Sequence, residues 1–236
     1  MSAPSLPIAE TFVSIQGEGK LTGTPSWFVR VAGCNLRCTW CDTPYASWSP
    51  QGEHHSIEDL LAEAQGHGVR HAVLTGGEPM IFDAIEDLSL GLKNLGIHVT
   101  IETAGTVHRP VHCDLLSLSP KLSNSTPVND DRDPSGTWAK RHEQRRLNMD
   151  SIEALLADHE ERQLKFVVAS PSDLAEINDL VGSLDGVAPG DVMLMPEGVV
   201  VPEPDTQGWI LEACLERGWR YCHRLHIQIF GNLPGT

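Results

Sequence analysis

The stretch Gly33-Cys34-Asn35-Leu36-Arg37-Cys38-Thr39-Trp40-Cys41-Asp42-Thr43 contains three of the chain's six cysteines. It follows the apolar run Trp27-Phe28-Val29-Arg30-Val31 and precedes Pro44, which predicts a loop at the end of a strand. Such loops often carry binding and catalytic residues, because the strand behind them provides a rigid support. This cysteine loop is therefore the first candidate for a functional site.

The thiols of Cys34, Cys38 and Cys41 are soft ligands that suit an iron–sulfur cluster or zinc. A structural zinc site normally has four protein ligands, and no second Cys-x-x-Cys follows, so zinc would require a distant histidine. A four-iron cluster held by three cysteines instead leaves one iron open to a small molecule. A disulfide with one free thiol is a third interpretation, and the spacing alone does not separate these possibilities.

The charge balance of the chain excludes some classes of function. It has 17 basic and 32 acidic residues and a net charge of -15. It therefore lacks the broad basic surface that nonspecific nucleic-acid binding requires. No apolar run approaches the roughly 18 residues of a membrane span, and the sequence does not begin with a charged region and an apolar core. We predict a cytoplasmic protein that binds neither nucleic acid nor membrane.

Segments with strand and helix patterns alternate along the chain, which predicts an α/β fold with a mostly parallel sheet and helices packed outside it. Ser56 is the predicted N-cap of a helix that ends near Gly66 or Gly68. The strands predicted after it cover residues 71–74, 97–101, 113–118, 164–168, 192–195 and 221–227. About six such repeats are too few for a closed eight-stranded barrel of ~250 residues. We therefore expect a partial (open) β/α barrel with about six parallel strands and outer helices.

The same pattern predicts one domain over residues 1–236, with a loop insertion at about residues 123–150 that is rich in Asn, Asp, Ser and Pro. Basic residues near the end of this segment are expected to form a solvated helix face, and several histidines are expected to lie at the surface. The basic residues are Lys140, Arg141, Arg145 and Arg146, and the histidines are His54, His55, His142 and His159.

Enzymes built on parallel strands place their chemistry at the carboxyl ends of those strands. Four segments are predicted to meet there: the cysteine loop and residues 75–79, 102–105 and 119–121. We therefore expect a single site at the mouth of the partial barrel.

Two motifs resemble the radical S-adenosylmethionine (SAM) superfamily. The cysteines follow the pattern Cys-x3-Cys-x2-Cys with Trp40 directly before the last one. The segment Thr75-Gly76-Gly77-Glu78-Pro79 follows a strand-like run, as the GGEP segment of that superfamily does. The resemblance implies a 4Fe-4S cluster whose open iron binds the amino and carboxylate groups of SAM. It also implies that electron transfer into SAM releases methionine and a 5′-deoxyadenosyl radical.

Further segments resemble one family within that superfamily, the 7-carboxy-7-deazaguanine synthases. They are Gln16-Gly17-Glu18-Gly19, Phe28-Val29-Arg30, Cys41-Asp42-Thr43, Ser119-Pro120-Lys121 and Leu225-His226. The resemblance covers about residue 8 to the C-terminus and implies conversion of 6-carboxy-5,6,7,8-tetrahydropterin to 7-carboxy-7-deazaguanine with loss of ammonia, on the route to queuosine and other deazapurines. It also implies Mg²⁺ as a third cofactor, an external electron donor such as a flavodoxin or ferredoxin, and a homodimer.

The family resemblance assigns cofactor roles to residues of this chain. Cys34, Cys38 and Cys41 would hold the cluster, and Thr43 would bind Mg²⁺ through its hydroxyl oxygen, which is a hard ligand. The residues that would bind SAM are Trp40, Cys41, Asp42, Gly77, Glu78, Ser119, Pro120 and Lys121.

The resemblance assigns substrate roles to a second set of residues. These are Ile15, Gln16, Gly17, Glu18, Arg30, Thr75, His226 and Thr236. Arg30 would pair with the substrate carboxylate through its planar guanidinium group. His226 would face the substrate from the last strand, and Thr236 would contribute through the carboxylate at the end of the chain.

Two alternative functions remain open on the sequence alone. One is an activating enzyme of the same superfamily, which installs a glycyl radical on a partner protein and would need a large protein-docking surface. The other is a protein without catalytic activity, either an iron–sulfur electron carrier or a zinc-binding module. Neither of the latter needs the segment Thr75-Gly76-Gly77-Glu78-Pro79.

Overall fold

The computed structural model describes residues 3–236, whose strands form one nine-stranded sheet. The strands are β1 (Ser5–Ile15), β2 (Pro25–Val31), β3 (Glu53–Ser56), β4 (His71–Gly76), β5 (His98–Thr103), β6 (Leu115–Leu118), β7 (Arg162–Val168), β8 (Val192–Pro196) and β9 (Arg220–Tyr221). Their order is β3-β1-β2-β4-β5-β6-β7-β8-β9, with β3, β1 and β2 antiparallel and all pairs from β2 to β9 parallel. Because the sheet is not closed, the predicted α/β fold with a partial barrel is confirmed.

Seven α-helices accompany the sheet in the part of the chain that the structure describes. They are α1 (Ile57–His67), α2 (Ile85–Asn94), α3 (Thr137–Arg145), α4 (Met149–Asp158), α5 (Asp173–Ser183), α6 (Pro204–Arg217) and α7 (Leu225–Phe230). Helix α1 begins as predicted, because the Ser56 side chain accepts a hydrogen bond from the Asp59 N–H. It ends at Gly68, whose left-handed backbone (φ 67°) suits a residue without a Cβ. None of the helices within residues 3–236 is long and apolar enough to cross a bilayer.

One face of the sheet carries the hydrophobic core, which it shares with the helices. Val29, Leu74, Ile101, Leu116 and Leu164 lie on five adjacent strands and are all 0 % exposed. Burying each side chain of this size contributes about 1.5–3 kcal/mol relative to leaving it in water. Because side chains alternate along a strand, the residues next to them point to the opposite face.

That opposite face carries a row of polar side chains at one level of the sheet. The strand register places Arg30 beside Thr75, and places Ser117 between Glu102 and Gln163. Thr75 Oγ1 donates a hydrogen bond of 3.1 Å to Glu102 Oε2, which joins the two parts of the row. Five neighbouring strands thus present polar groups on the same face of the sheet, as expected for a site that binds a polar molecule.

The prediction of a last strand over residues 221–227 is wrong, because only its first residue, Tyr221, lies in a strand. Strand β9 ends at Tyr221, and the chain then forms helix α7. Apolar and polar residues alternate from Leu225 to Ile229, which is typical of a strand. However, the chain turns across the mouth of the sheet here, and the Leu225 N–H donates to the Gly17 carbonyl oxygen at 2.9 Å. This tertiary contact overrides the local pattern.

The segment predicted as a loop insertion, residues 123–150, contains a helix of nine residues, α3. Two histidines predicted to lie at the surface are buried: His142 is 0 % exposed and His159 is 8 % exposed. Each ring is accommodated because it forms a hydrogen bond, with Ser125 Oγ for His142 and with the Leu155 carbonyl oxygen for His159.

Candidate active site

A cavity of about 440 Å³ opens at the carboxyl ends of the parallel strands. All the residues predicted to bind the pterin line it, namely Ile15, Gln16, Gly17, Glu18, Arg30, Thr75, His226 and Thr236. The cysteines Cys34, Cys38 and Cys41 and Thr43 also line it, as do Trp40, Asp42, Gly77, Ser119 and Lys121 of the predicted SAM site. The parallel strand order therefore brings segments that are distant in sequence into one space.

The three thiols of the cysteine loop are reduced and mostly buried. All six cysteines of the chain are free. Burial, together with the negative groups Glu78 and Cys41, raises the pKa of the Cys34 thiol to about 12. Burial also raises the pKa of Cys38, although the nearby Lys121 opposes the shift. Metal binding must therefore displace protons from these thiols.

The donor set fits an iron–sulfur cluster better than a structural zinc ion. Within residues 3–236, no three His, Cys, Asp or Glu side chains surround a point where one metal ion could sit. In a four-iron cluster each thiolate binds a different iron, so the thiols stand further apart than they do around a single ion. Three thiols that line one cavity without closing on a single point meet that requirement.

Hydrogen bonds to carbonyl oxygens hold the cysteine loop in shape. Arg37 Nη1 donates to the Cys34 carbonyl oxygen at 2.8 Å, and Trp48 Nε1 donates to the Cys38 carbonyl oxygen at 3.0 Å. The guanidinium carbon of Arg37 lies 4.0 Å from the centre of the Trp138 ring, so this buried cation also packs on an aromatic face. These contacts fix the backbone from which the thiols project.

Three residues from the segment 123–146 support the outside of the cysteine loop, and we refer to Ser125, Arg132 and His142 as the brace. The Ser125 carbonyl oxygen accepts a hydrogen bond of 2.9 Å from the Thr39 N–H. Arg132 Nη2 donates to the Thr39 carbonyl oxygen at 2.7 Å. The segment that most resembled an irregular insertion therefore positions the loop.

His142 connects the cysteine loop to the rest of the brace. Its Nδ1 accepts a hydrogen bond of 3.1 Å from the Arg37 N–H, so the neutral ring carries its proton on Nε2 and donates to Ser125 Oγ at 2.8 Å. Burial lowers the pKa of His142 to about 4. The ring is therefore neutral at physiological pH.

The buried His142 predicts a specific acid sensitivity. Because its pKa is about 4 when folded and about 6.5 when unfolded, the unfolded chain binds more protons between these values. This contribution to stability is complete above pH ~6.5 and is lost as the pH falls to about 4. In His142→Asn, the free energy of unfolding should depend less steeply on pH in this window, by up to about 1.4 kcal/mol per pH unit. Urea denaturation from pH 4 to pH 7 measures the slope, and an unchanged slope would reject the assignment. The exposed His112, replaced by Asn, is the control.

Pro120 and Glu78, both predicted to bind SAM, do not line the cavity. The Glu78 carboxylate is 1 % exposed and accepts hydrogen bonds from Thr103 Oγ1 at 2.7 Å, from the Ala104 N–H at 2.7 Å and from the Met80 N–H at 3.1 Å. Its oxygens are therefore already engaged within the protein. The side chain ties the glycine-rich segment after β4 to the end of β5, and the predicted contact of Glu78 with SAM, which involves its backbone, stays a prediction.

Two glycines of the predicted site are required by close packing. A Cβ on Gly77 would lie 2.0 Å from the Gly33 carbonyl oxygen, and a Cβ on Gly17 would lie 2.0 Å from His226 Nδ1. Any larger residue at either position would push the neighbouring segment away. Gly17 is thus needed to let helix α7 bring His226 into the cavity.

The part of the cavity next to the cysteine loop carries the remaining residues of the predicted SAM site. Lys121 Nζ donates to Ser119 Oγ at 2.8 Å and lies 5.8 Å from the centre of the Trp40 ring. Trp40 Nε1 donates to the Asn124 carbonyl oxygen at 3.2 Å, which fixes the plane of the indole. The aromatic face and the ammonium group are therefore held beside the cluster cysteines.

The opposite part of the cavity presents an amide and a carboxylate side by side. Gln16 Nε2 donates to Glu102 Oε1 at 3.2 Å, and Gln16 is only 4 % exposed. The other oxygen of Glu102 accepts from Thr75. These groups can recognise the hydrogen-bonding edge of a flat heterocycle.

A chain of charged residues links the two parts of the cavity. Lys165, which is 5 % exposed, binds the carboxylate of Glu18 and lies 3.8 Å from Glu102. Arg224 binds Glu18 at 3.2 Å and also binds Asp42, the neighbour of the last cysteine. Burial opposes the charges of Lys165 and Glu18, but Glu102 and Glu18 raise the pKa of Lys165, while Lys165 and Arg224 lower the pKa of Glu18. Lys165 and Glu18 are therefore ionised at neutral pH.

Arg30 is more constrained than the sequence predicts. Its Nε donates to Glu10 Oε1 at 2.7 Å, and Tyr45 Oη donates to the same oxygen at 2.6 Å. Its guanidinium carbon lies 5.8 Å from the centre of the Phe12 ring, which stacks on Phe28. The cation thus lines the cavity in a fixed orientation.

The sequence interpretation missed Glu102, Lys165 and Arg224 as site residues. Lys165 could have been found, because it is a charged residue in the apolar run Leu164-Lys165-Phe166-Val167-Val168. Glu102 directly follows the predicted strand 97–101, and its segment, residues 102–105, was placed at the site without a role for this carboxylate. Arg224 had no local signal, because its role depends on the turn that leads into α7.

Comparison with known proteins agrees with this architecture. Residues 28–124 match the family model described as the Radical SAM superfamily. The chain is 50 % identical over 236 residues to 7-carboxy-7-deazaguanine synthase from Rhodopirellula baltica, covering 100 % of this chain and 90 % of that protein. It is 45 % identical to 7-carboxy-7-deazaguanine synthase from Halobacterium salinarum, covering 99 % and 93 %. The crystal structure of QueE from Escherichia coli aligns with a TM-score of 0.70 and 28 % identity, covering 94 % of this chain and 95 % of that one.

A partial barrel whose strand ends carry a three-cysteine loop and a GGEP segment defines a radical SAM enzyme, which implies a 4Fe-4S cluster and SAM. The predicted superfamily is thereby confirmed. The sequence identities of 50 % and 45 %, which extend over nearly the full length of this chain, relate it to one family within that superfamily. The chain belongs to the 7-carboxy-7-deazaguanine synthase family.

Proposed function

We propose that the chain converts 6-carboxy-5,6,7,8-tetrahydropterin to 7-carboxy-7-deazaguanine with loss of ammonia, as the names of its relatives indicate for their product. The observation that carries the proposal is one cavity lined both by the three cluster thiols and by Gln16, Thr75 and Glu102. Family membership favours this function over a glycyl-radical activating enzyme and over a carrier or zinc module.

Gln16 and Glu102 bind the flat edge of the pterin in this proposal. That edge presents an amino group and a ring N–H next to each other, which a carboxylate accepts as a pair. Thr75 and Lys165 hold the Glu102 carboxylate in its orientation. His226 closes the same part of the cavity from α7, and the last residue, Thr236, lines it as well. The glycine-rich loop adds contacts through Ile15, Gly17 and Glu18.

The substrate carboxylate lies between Arg30 and Thr43. Arg30 offers a fixed, positively charged donor because Glu10 and Phe12 orient it. The Thr43 hydroxyl lies 3.9 Å from Cys41 Sγ and is a hard oxygen ligand, which suits Mg²⁺ completed by water and the substrate carboxylate. Magnesium binding at this place belongs to the proposal.

Cys34, Cys38 and Cys41 hold the cluster, which when bound supplies the single electron that cleaves SAM and starts radical chemistry. Trp40 and Asp42 line the adenosyl side, and Gly77, which lines the same cavity, contacts the methionine part through its backbone. The polar groups that contact the ribose and carboxylate are provided by Ser119 and Lys121.

The decisive experiment incubates anaerobically reconstituted protein with SAM, Mg²⁺, dithionite and 6-carboxy-5,6,7,8-tetrahydropterin. We expect the pterin absorbance to be replaced by that of a deazapurine, with one ammonia released per product. A protein that cleaves SAM under these conditions but leaves the pterin unchanged would reject the proposed substrate.

Thr43→Ala should separate magnesium binding from cluster binding. The substitution removes the hydroxyl ligand but no thiol, so we expect normal iron content and a pterin turnover that needs roughly tenfold more Mg²⁺ for half its maximum. Titrating Mg²⁺ measures the shift. Ser49→Ala is the control, because Ser49 is exposed and does not line the cavity. Loss of the cluster in Thr43→Ala, or an unchanged Mg²⁺ response, would contradict this role.

Other properties that the resemblance implies extend the proposal. The electron donor is an external carrier such as a flavodoxin or ferredoxin, and the protein is a homodimer of single-domain chains in the cytoplasm. The six free cysteines fit a reducing compartment. Light scattering of the purified protein tests the dimer, and pull-down with immobilised flavodoxin tests the donor.

A further inference from the structure

Exposed basic side chains without an ion pair are few in this acidic protein. Of its 17 basic residues, nine form ion pairs with carboxylates of the described chain: Lys20, Arg30, Lys93, Arg109, Arg132, Arg146, Lys165, Arg217 and Arg224. The exposed basic residues outside this set are Arg70, Lys140, Arg141, Arg145 and Arg220. Three of these five lie on α3, and we refer to Lys140, Arg141 and Arg145 as the basic face.

The basic face lies directly outside the cysteine loop. Trp138, on the same helix, has the Arg141 guanidinium 5.4 Å from its ring centre and the Arg37 guanidinium 4.0 Å from it. Arg37 in turn binds the Cys34 carbonyl oxygen at 2.8 Å. Only one aromatic ring and one buried side chain therefore separate the exposed Arg141 from the backbone of a cluster ligand.

The other two exposed basic residues lie at the opposite end of the molecule. Arg70 directly precedes β4, and Arg220 is the first residue of β9. The cysteine loop follows the carboxyl end of β2, and β2, β4 and β9 run parallel in the sheet. The exposed positive charge near the cluster that has no ion-pair partner in the described chain is thus confined to α3.

We propose that the basic face is the docking surface for an acidic protein that delivers single electrons to the cluster, a role that rests on the proposed function. The donor's reduced flavin or iron–sulfur centre loses one electron and the oxidised cluster gains it, with no bond made or broken. The donor must approach from outside the cysteine loop, because the inner side faces the cavity that SAM and the substrate fill.

Charge complementarity explains why α3 suits this partner. A protein with a net charge of -15 repels an acidic protein at long range. A local group of three positive charges reverses that repulsion at one place, because its field acts within a Debye length of about 10 Å at 0.1 M salt. Such a patch sets the orientation and rate of encounter, both of which depend on salt.

The test uses the reconstituted holoenzyme with Lys140, Arg141 and Arg145 all replaced by Gln. Binding of a purified, strongly acidic bacterial flavodoxin is measured by biolayer interferometry at low and moderate salt. We expect the triple variant to bind at least about tenfold more weakly than the parent protein, with a smaller dependence on salt. Turnover driven by reduced flavodoxin should fall in parallel, whereas turnover driven by dithionite should stay at the parent level.

The matched control replaces Arg70 and Arg220 by Gln, which removes exposed positive charge at the far end of the sheet. This control variant should bind flavodoxin with the same affinity and the same salt dependence as the parent protein. The docking proposal is overturned if the triple variant binds as tightly as the parent, if the control weakens binding equally, or if the parent does not bind flavodoxin at low salt. If the parent protein does not turn over the pterin with dithionite, the proposed function is rejected instead. The binding measurement would still decide whether the basic face is the docking surface.

Discussion

Cys38→Ala is expected to lose the cluster and all SAM cleavage. Cys38 is one of three thiols at the cavity and is 8 % exposed. The other cysteines cannot replace it, since Cys113, Cys214 and Cys222 do not line the cavity and Cys222 Sγ accepts a hydrogen bond from the Gly19 N–H. After anaerobic reconstitution, the iron and sulfide content should fall to the level of the blank. The release of 5′-deoxyadenosine with dithionite should fall to the same level.

Cys214→Ala is the matched control for this result. Cys214 is also buried, at 3 % exposed, but it packs in the hydrophobic core on α6. Its loss should reduce the free energy of unfolding by on the order of 1 kcal/mol and leave iron content and SAM cleavage unchanged. A Cys38 variant with the iron content of the parent protein would show that the cluster is held elsewhere.

The parallel part of the fold was predictable because its strands have strong local signals. Buried parallel strands are continuous apolar runs, and the chain between them contains helices with clear caps, such as Ser56 at the start of α1. The edge strand β3 was not predicted. Strand β3 consists of Glu53, His54, His55 and Ser56, a polar sequence that is strand only because it pairs with the start of β1.

The contiguous motifs of the site were also predictable, because short segments with unusual composition mark strand ends. The residues that connect these motifs in space could not be predicted from the sequence. Arg224 joins Glu18 to Asp42 across positions that are far apart in the sequence, and no local pattern reports such a contact. His142 is a similar case: as a polar residue in a basic helix it was expected at the surface, but the cysteine loop covers it.

Lys165→Met is expected to lower the free energy of unfolding by roughly 3–5 kcal/mol. The ammonium group is buried between Glu18 and Glu102, and removing it leaves two carboxylates without their shared positive partner. Methionine fills a similar volume, so the decrease in the free energy of unfolding reflects the lost positive charge rather than a change in packing. Urea denaturation of the apoprotein at pH 7 measures the effect. Pterin affinity should fall as well, since Glu102 loses the ammonium group that lies 3.8 Å from it and helps to hold its orientation.

Two further variants separate this effect from a general sensitivity to lysine loss. Lys20→Met removes an ion pair with Asp191 that is only partly buried, and should cost at most about 1 kcal/mol. Combining Lys165→Met with Glu18→Gln removes both members of the buried pair, so the double variant should be more stable than the sum of the single losses predicts, by about 1–3 kcal/mol. Strictly additive losses would mean that Lys165 and Glu18 do not stabilise each other.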